Sequence, residues 1–217
     1  MFENRMAAGQ KLAIALQETN RPADIVIAIP RGGVVVGHQV ARALGIPLDI
    51  IIPKKVGAPQ NPEVAVGAVT QDGTAIYHQE LLSRLGLSEK QLQPAVQKII
   101  DEINRRTAAY RNNRPGANLA GRHVIVVDDG IATGFTILAA LQSIKNSGCQ
   151  SVTLAVPVAP PETVQRLAKE VDHLVCLVSR EPFYAVGQFY LDFSQVKDDE
   201  VIAVLQQYNC DNQKTRS

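Results

Sequence analysis

The chain has 217 residues, of which 46% are hydrophobic and 20% charged, with a formal net charge of +1. That is the composition of an ordinary soluble globular chain, long enough for one substantial core. A charge so near zero supplies no field for nucleic acid or an anionic membrane, so a nucleotide ligand must be recognised locally.

No apolar run approaches the ~18 residues of a membrane helix, and Met1 to Arg5 is not an apolar signal segment, so the cytoplasm is the expected location. Cys149, Cys176 and Cys210 are widely spaced and odd in number, and they read as reduced and structural. The histidines His38, His78, His123 and His173 show no metal-ligand spacing and read as structural or surface groups.

Taken in chain order, residues 3–18 place Met6, Leu12, Ala13 and Leu16 at helical spacing, and Thr19-Asn20-Arg21-Pro22 ends the pattern. A buried strand follows over residues 24–29. After a Gly-rich turn comes a helix over about 34–44, closed by Gly45, and then a second strand over 48–52. This is a βαβ unit, expected to be parallel and right-handed.

Val64 to Val69 reads as a weaker strand, one arm of a ribbon with Thr74 to Tyr77. Residues 88–113 predict a long helix: Ser88 and Gln91 fit a capping box, and Leu92, Val96, Ile99, Ile100, Ile103 and Tyr110 share one face. Pro94 should bend that helix or shift its start. Strands at 124–127, 151–156 and 173–178 and a helix over 161–170 with proline in its first turn complete a doubly wound α/β core.

Residues 124–136 carry the most chemistry. Val124 to Val127 is β-branched throughout, as suits a central parallel strand buried on both faces. Asp128 and Asp129 then fall at its carboxyl end, where open α/β sheets place ligands. Ionised carboxylates only accept, so the pair can receive two neighbouring hydroxyls of a ribose and would repel a phosphate.

Gly130, Ile131, Ala132, Thr133, Gly134, Phe135 and Thr136 follow. Their small residues, backbone amides and two hydroxyls, running into a helix N-terminus, make a cradle for a 5'-phosphate. Asp-Asp alone would read as a solvated acidic turn; the Gly-x-Ala-Thr-Gly-x-Thr continuation reverses that balance.

Two further anion sites lie on the same edge. In Pro30-Arg31-Gly32-Gly33 the glycines let amides approach an anion and Arg31 adds a planar charged fork, although a tight turn with a solvated arginine is the competing reading. Lys54 and Lys55 follow the second strand, and strand alternation leaves open which of them faces a ligand. Glu63, in Asn61-Pro62-Glu63, is placed to orient a lysine or a metal-bound water. Late in the chain, residues 179–190 concentrate aromatics; Phe183 or Tyr184 could contact a flat heterocycle, and packing against the first helix explains the cluster almost as well.

The residues 124–136 resemble the signature of the type I phosphoribosyltransferases, whose apolar strand, acidic pair and Thr-Gly-x-Thr loop bind phosphoribosyl pyrophosphate (PRPP). The resemblance covers about residues 21–195. Residues 30–33, 55–63 and 185–190 look closest to bacterial phosphoribosyltransferase-like proteins whose acceptor is often unassigned.

It implies a single domain: a doubly wound, mainly parallel sheet flanked by helices (core about 21–180), a helical and flexible insertion (about 72–118), and a small hood (about 181–217, with the helix 3–18). It also implies that Asp128 and Asp129 hold the ribose, that 130–136 hold the 5'-phosphate, and that Arg31, Gly32, Gly33, Lys54 and Lys55 hold pyrophosphate. A non-proline cis peptide in the 30–33 loop is a further expectation.

The activity so implied is Mg²⁺-dependent transfer of the phosphoribosyl group from PRPP to a nitrogen nucleophile, a nucleobase or related heterocycle, by a pentosyl transferase. Mg²⁺ would be held through PRPP oxygens and water rather than by direct protein ligands. A homodimer is implied, with neither nucleic acid nor membrane as partner. The rival on the same fold is a noncatalytic PRPP- or nucleotide-sensing module. A phosphoacceptor receiver domain explains the acidic pair but not the phosphate loop, and a dinucleotide oxidoreductase lacks its Gly-x-Gly-x-x-Gly turn.

Overall fold

The computed structural model describes residues 1–214, with side chains through Tyr208, so Cys210 lies outside the described side chains. The first helix, α1 (Arg5–Glu18), starts at Asn4, whose side chain accepts a 2.9 Å hydrogen bond from the Ala7 amide. Its buried stripe is Ala8, Gly9, Leu12, Ala13 and Leu16, while Met6, expected on the inner face, stays 51% exposed in the first turn. Gly9 sets the packing: a Cβ there would lie 2.8 Å from the Val36 carbonyl oxygen.

Strand β1 (Ile25–Ala28), helix α2 (Gly32–Leu44) and strand β2 (Leu48–Ile50) form the expected parallel βαβ unit. Gly45 closes α2 in the left-handed conformation. The β2 ladder stops at Ile50, two residues earlier than the apolar run suggests, although Ile51 and Ile52 are still buried.

The chain then leaves the main sheet for a separate antiparallel ribbon of β3 (Lys54–Ala58), β4 (Asn61–Val69) and β5 (Ala75–Tyr77). The β4–β5 pairing was expected. β3 was not among the expected strands, its residues being expected only to follow the second one. Val56 is buried on one face, and Gly57 lets the strand bulge beside Pro62, whose Cα would lie 2.7 Å from an added Cβ.

After the short helix α3 (Gln79–Arg84), helix α4 (Glu89–Arg111) begins at Ser88 with its capping box to Gln91. The helix therefore starts ahead of Pro94, and it buries Leu92, Val96, Ile103, Thr107 and Tyr110. Asn112 and Asn113, both with positive φ, end it.

Strand β6 (His123–Val127), helix α5 (Phe135–Asn146), strand β7 (Ser151–Val158), helix α6 (Pro161–Leu167) and strand β8 (His173–Val178) complete the core. The five parallel strands run β2-β1-β6-β7-β8. Alternation sends Val26, Ala28, Ile125 and Val127 into the layer formed with α1, α2 and α4, and sends Ile25, Ile27, Val124 and Val126 into the layer under α5.

The strand order reverses between β1 and β6, which makes their carboxyl ends the switch point where such sheets bind ligands. Phe2 bridges to Tyr190, tying the start of the chain to a small aromatic core of Phe2, Phe189 and Tyr190. The last helix, α7 (Asp198–Lys214), returns over α2, α4 and β2. Among the described residues, no helix is long and apolar enough to cross a membrane.

Candidate functional site

Asp128 and Asp129 emerge from β6 at the switch point and meet different surroundings. The Asp129 amide donates to Asp128 Oδ1 at 2.8 Å, which folds the two side chains over one turn. Asp129 Oδ2 accepts from Arg5 Nε at 2.6 Å, and the Asp129 carbonyl accepts from the Tyr190 hydroxyl at 2.6 Å. Arg5 also donates to the Ser194 carbonyl at 2.8 Å and lies 3.8 Å over the Phe193 ring.

Arg5 therefore ties helix α1, the aromatic segment and the acidic pair together. Among the described residues, Asp128 forms no such ion pair. Burial first, and then the Asp129 charge beside it, push its carboxyl well above the ordinary carboxylate range.

The loop from β1 closes against this pair. A Cβ on Gly32 would fall into the Asp129 carboxylate and within 2.7 Å of Arg5 Nε, and one on Gly33 would lie 2.9 Å from both Asp128 Cα and Oδ1. Only glycine fits at these two positions. The expected cis peptide is found at Pro30-Arg31. The first turn of α2 thus aims its amides along the edge that the carboxylates occupy.

The loop between β6 and α5 is braced from one side. Ala132 and Thr133 turn their carbonyls to α6, where Thr163 Oγ1 donates to Ala132 at 2.8 Å and Arg166 donates to Thr133. Gly134 adopts φ +66° as the residue before α5, and a Cβ on Gly130 would lie 2.6 Å from Val158 Cγ2. Among the described residues, the amides of Ala132, Thr133 and Gly134 have no acceptor, and the first intrahelical bond runs from Leu138 to Gly134.

Those amides and the first turn of α5 make an anion cradle next to the carboxylates. Ile131 stands apart from it: its side chain is in the core and its amide bonds to the Val158 carbonyl at 2.9 Å. Phe135 stacks on His78, with ring centroids 6.2 Å apart, and Thr136 follows it in the first turn.

The basic groups sit with acids that the sequence did not pair with them. Arg31 reaches Asp198 Oδ1 at 3.5 Å, and Lys54 Nζ reaches Glu102 Oε1 at 2.6 Å. Lys54 shares its strand face with buried Val56, and Lys55 points to the opposite, exposed face. Glu63 lies at the exposed β3–β4 hairpin, so the lysine partner is Glu102 and not Glu63.

Phe183 packs on Phe189 at 5.0 Å between ring centroids, whereas Tyr184 is 85% exposed. Cys149 and Cys176 are free thiols; burial raises both, Cys176 to about 11. Among the described residues, no three His, Cys, Asp or Glu side chains group as a metal site.

A cleft of about 350 Å³ lies away from the acidic pair, between the β4–β5 turn and the C-terminal end of α5, lined by Asp49, Asp72, Arg111 and Ser143. Its central feature is structural: Arg111 forks onto Asp49 at 2.8 and 3.1 Å and donates to the Ile50 carbonyl.

Arg5 and Asp198, which pair with Asp129 and Arg31, were not singled out in the sequence, and Tyr190, which bonds to the Asp129 carbonyl, was singled out only as part of the aromatic segment. No local pattern marks Arg5 or Asp198, because each reaches the edge from a distant element.

Comparison with known proteins bears on the family and the fold. Residues 2–194 match the phosphoribosyl transferase domain family. A Mycobacterium tuberculosis protein provisionally named a phosphoribosyl transferase is 40% identical over 205 residues, covering 94% of this chain and 46% of that protein. The chain thus spans about half the length of the curated relatives it matches.

A Salinibacter ruber uracil phosphoribosyltransferase is 40% identical over 70 residues, 32% of this chain and 33% of that protein. A Thermus thermophilus crystal structure superposes with a TM-score of 0.83 at 41% identity, covering 96% of this chain and 99% of that one. Matched over most of its length and folded so that the signature loop meets the 30–33 loop at the switch point, the chain belongs to the phosphoribosyl transferase family.

Proposed function

We propose that the chain transfers the phosphoribosyl group of PRPP to a nitrogen nucleophile of a nucleobase or related heterocycle and releases pyrophosphate. The observation that carries this reading is the junction of Asp128 and Asp129 with two helix N-termini, α5 for the 5'-phosphate and α2 for the pyrophosphate. Both carboxylates would accept the ribose hydroxyls, Asp129 while paired with Arg5 and Asp128 once ionised.

Breaking the C1–O bond develops positive charge on the ribose and negative charge on the leaving pyrophosphate. Fixed carboxylates on one side and Arg31, Lys54 and amide dipoles on the other would stabilise both ends without a covalent intermediate. Lys55 would reach the anion only from the exposed face of β3.

The donor set fits Mg²⁺ in a specific way. Two adjacent carboxylates, one already neutralised by Arg5, suit an ion that arrives on PRPP oxygens and keeps its waters. When bound, Mg²⁺ neutralises charge on the pyrophosphate oxygens. Closure of part of residues 72–118 over the edge would keep water from the reacting carbon. A homodimer in the cytoplasm belongs to the same reading.

The sensing alternative is favoured by one observation on the acceptor side. Phe183 is engaged with Phe189 and Tyr184 stands in solvent, so the two do not form a slot for a base. A pyrophosphate-release screen with PRPP and Mg²⁺ across purines, pyrimidines, orotate and nicotinate analogues separates the readings. Release with one acceptor supports the transferase, PRPP binding without release across the panel supports the sensor, and absence of PRPP binding rejects both.

A further inference from the structure

Resting on the PRPP reading, we propose that Arg106 of α4 is a pyrophosphate-binding residue and that Asp198 of α7 occupies the place of the anion until it arrives. Arg31 and Arg106 converge on one atom: Asp198 Oδ1 lies 3.5 Å from Arg31 Nη1 and 2.7 Å from Arg106 Nη2. The Tyr110 hydroxyl donates to the same oxygen at 2.6 Å and accepts from Arg106 Nε at 2.8 Å. Tyr110 is 1% exposed, so a core side chain fixes the Arg106 guanidinium.

Three donors aimed at one carboxylate oxygen form an anion seat, and Arg31 is already assigned to the pyrophosphate loop. Two guanidinium groups that share an oxygen are separated by a distance that a diphosphate can bridge, with a fork for each phosphate.

A third cation is likewise held by an acid. Lys54 is held by Glu102, one turn before Arg106 on the same helix. In both pairs the acid is about half exposed, 50% for Asp198 and 47% for Glu102, and the base about a third exposed. Such solvent-reached pairs are weak and exchange readily for a ligand of higher charge.

Hydrogen bonds from Tyr110 first, and then from Arg106, hold the Asp198 carboxyl below its ordinary range, so it remains a charged competitor. Helix α4 lies within residues 72–118 and α7 within residues 181–217, both distant in sequence, which explains why the 30–33 motif alone does not reveal the seat.

Calorimetric titration with inorganic pyrophosphate and Mg²⁺ tests the proposal on the full chain and on the Arg106→Gln, Asp198→Asn and Arg31→Gln variants, each with its melting temperature recorded. Arg106→Gln should weaken pyrophosphate about tenfold, and Asp198→Asn should tighten it by roughly three- to tenfold as the internal competitor loses its charge. A purely structural Arg106–Asp198 link would shift both variants the same way.

Undiminished binding by Arg106→Gln, or equal weakening by both variants, overturns the inference while a loss in Arg31→Gln leaves the PRPP reading standing. Failure of the unaltered chain to bind pyrophosphate removes the reading and the inference together.

Discussion

Replacing Arg5 by alanine should loosen the acidic pair and the chain terminus at once. The side chain makes a charge-assisted bond to Asp129 at 2.6 Å, a bond to the Ser194 carbonyl at 2.8 Å and a contact 3.8 Å above Phe193. Bonds to charged groups contribute about 1.5–3 kcal/mol, a neutral acceptor about 1 and a partly exposed cation–π contact about 0.5–1.

The pair retains 11% and 15% side-chain exposure, so water recovers part of the loss and a net cost of about 3 kcal/mol is expected. For a chain of this size that is a fall of roughly 6–12 °C in melting temperature. Urea unfolding of Arg5→Ala, Asp129→Asn and the double variant gives the interaction directly, expected at about 2 kcal/mol. Additive single effects, or a cost for Arg5→Ala below about 0.5 kcal/mol, would show that Arg5 does not anchor Asp129.

Asp128 should impose a pH slope. Its folded carboxyl is raised above its ordinary value, so its contribution to stability is complete at pH below the unfolded value and disappears as pH rises through the folded one. Asp128→Asn should melt with the unaltered chain in acid and above it at neutral and alkaline pH; a constant difference across that window contradicts the burial argument.

Gly33→Ala places a Cβ 2.9 Å from Asp128 Cα and 3.0 Å from the Val127 carbonyl oxygen, both backbone atoms. A cost of about 1–3 kcal/mol with weakened PRPP binding is expected in unfolding and binding titrations, and unchanged values would mean that the two loops can separate freely. Arg111→Ala strands Asp49, whose side chain is 14% exposed. About 3–5 kcal/mol should be lost in urea unfolding, and PRPP affinity should hold once the variant is folded.

Patterns repeated within one element were legible in the sequence. The β-branched run before Asp128 gave a strand because every position faces a helix layer, and Ser88 with Gln91 located the start of α4 despite Pro94. The Gly-rich turns were legible for the same reason, since a missing Cβ has local consequences.

β3 was not legible, because two lysines and a glycine in five residues carry almost no alternation, and its burial comes from β4 and α4 rather than from its own composition. Nor were the partners of the charged groups. Arg5 meets Asp129 across 124 residues and Arg31 meets Asp198 across 167, contacts that only the assembled fold creates. The sequence therefore showed which loops come together at the β1–β6 edge, and left unseen the side chains that hold Asp129 and Arg31 in place.

If Asp128 and Asp129 form the ribose clamp of a PRPP site, PRPP binding depends on their charge. Calorimetric titration of PRPP with Mg²⁺ into the unaltered chain and into the Asp128→Asn, Asp129→Asn double variant tests it most directly, with circular dichroism recorded on both. The expected result is saturable binding by the first and none by the second, which keeps its fold. Equal PRPP affinity in the two chains would mean that the acidic pair does not hold the ribose.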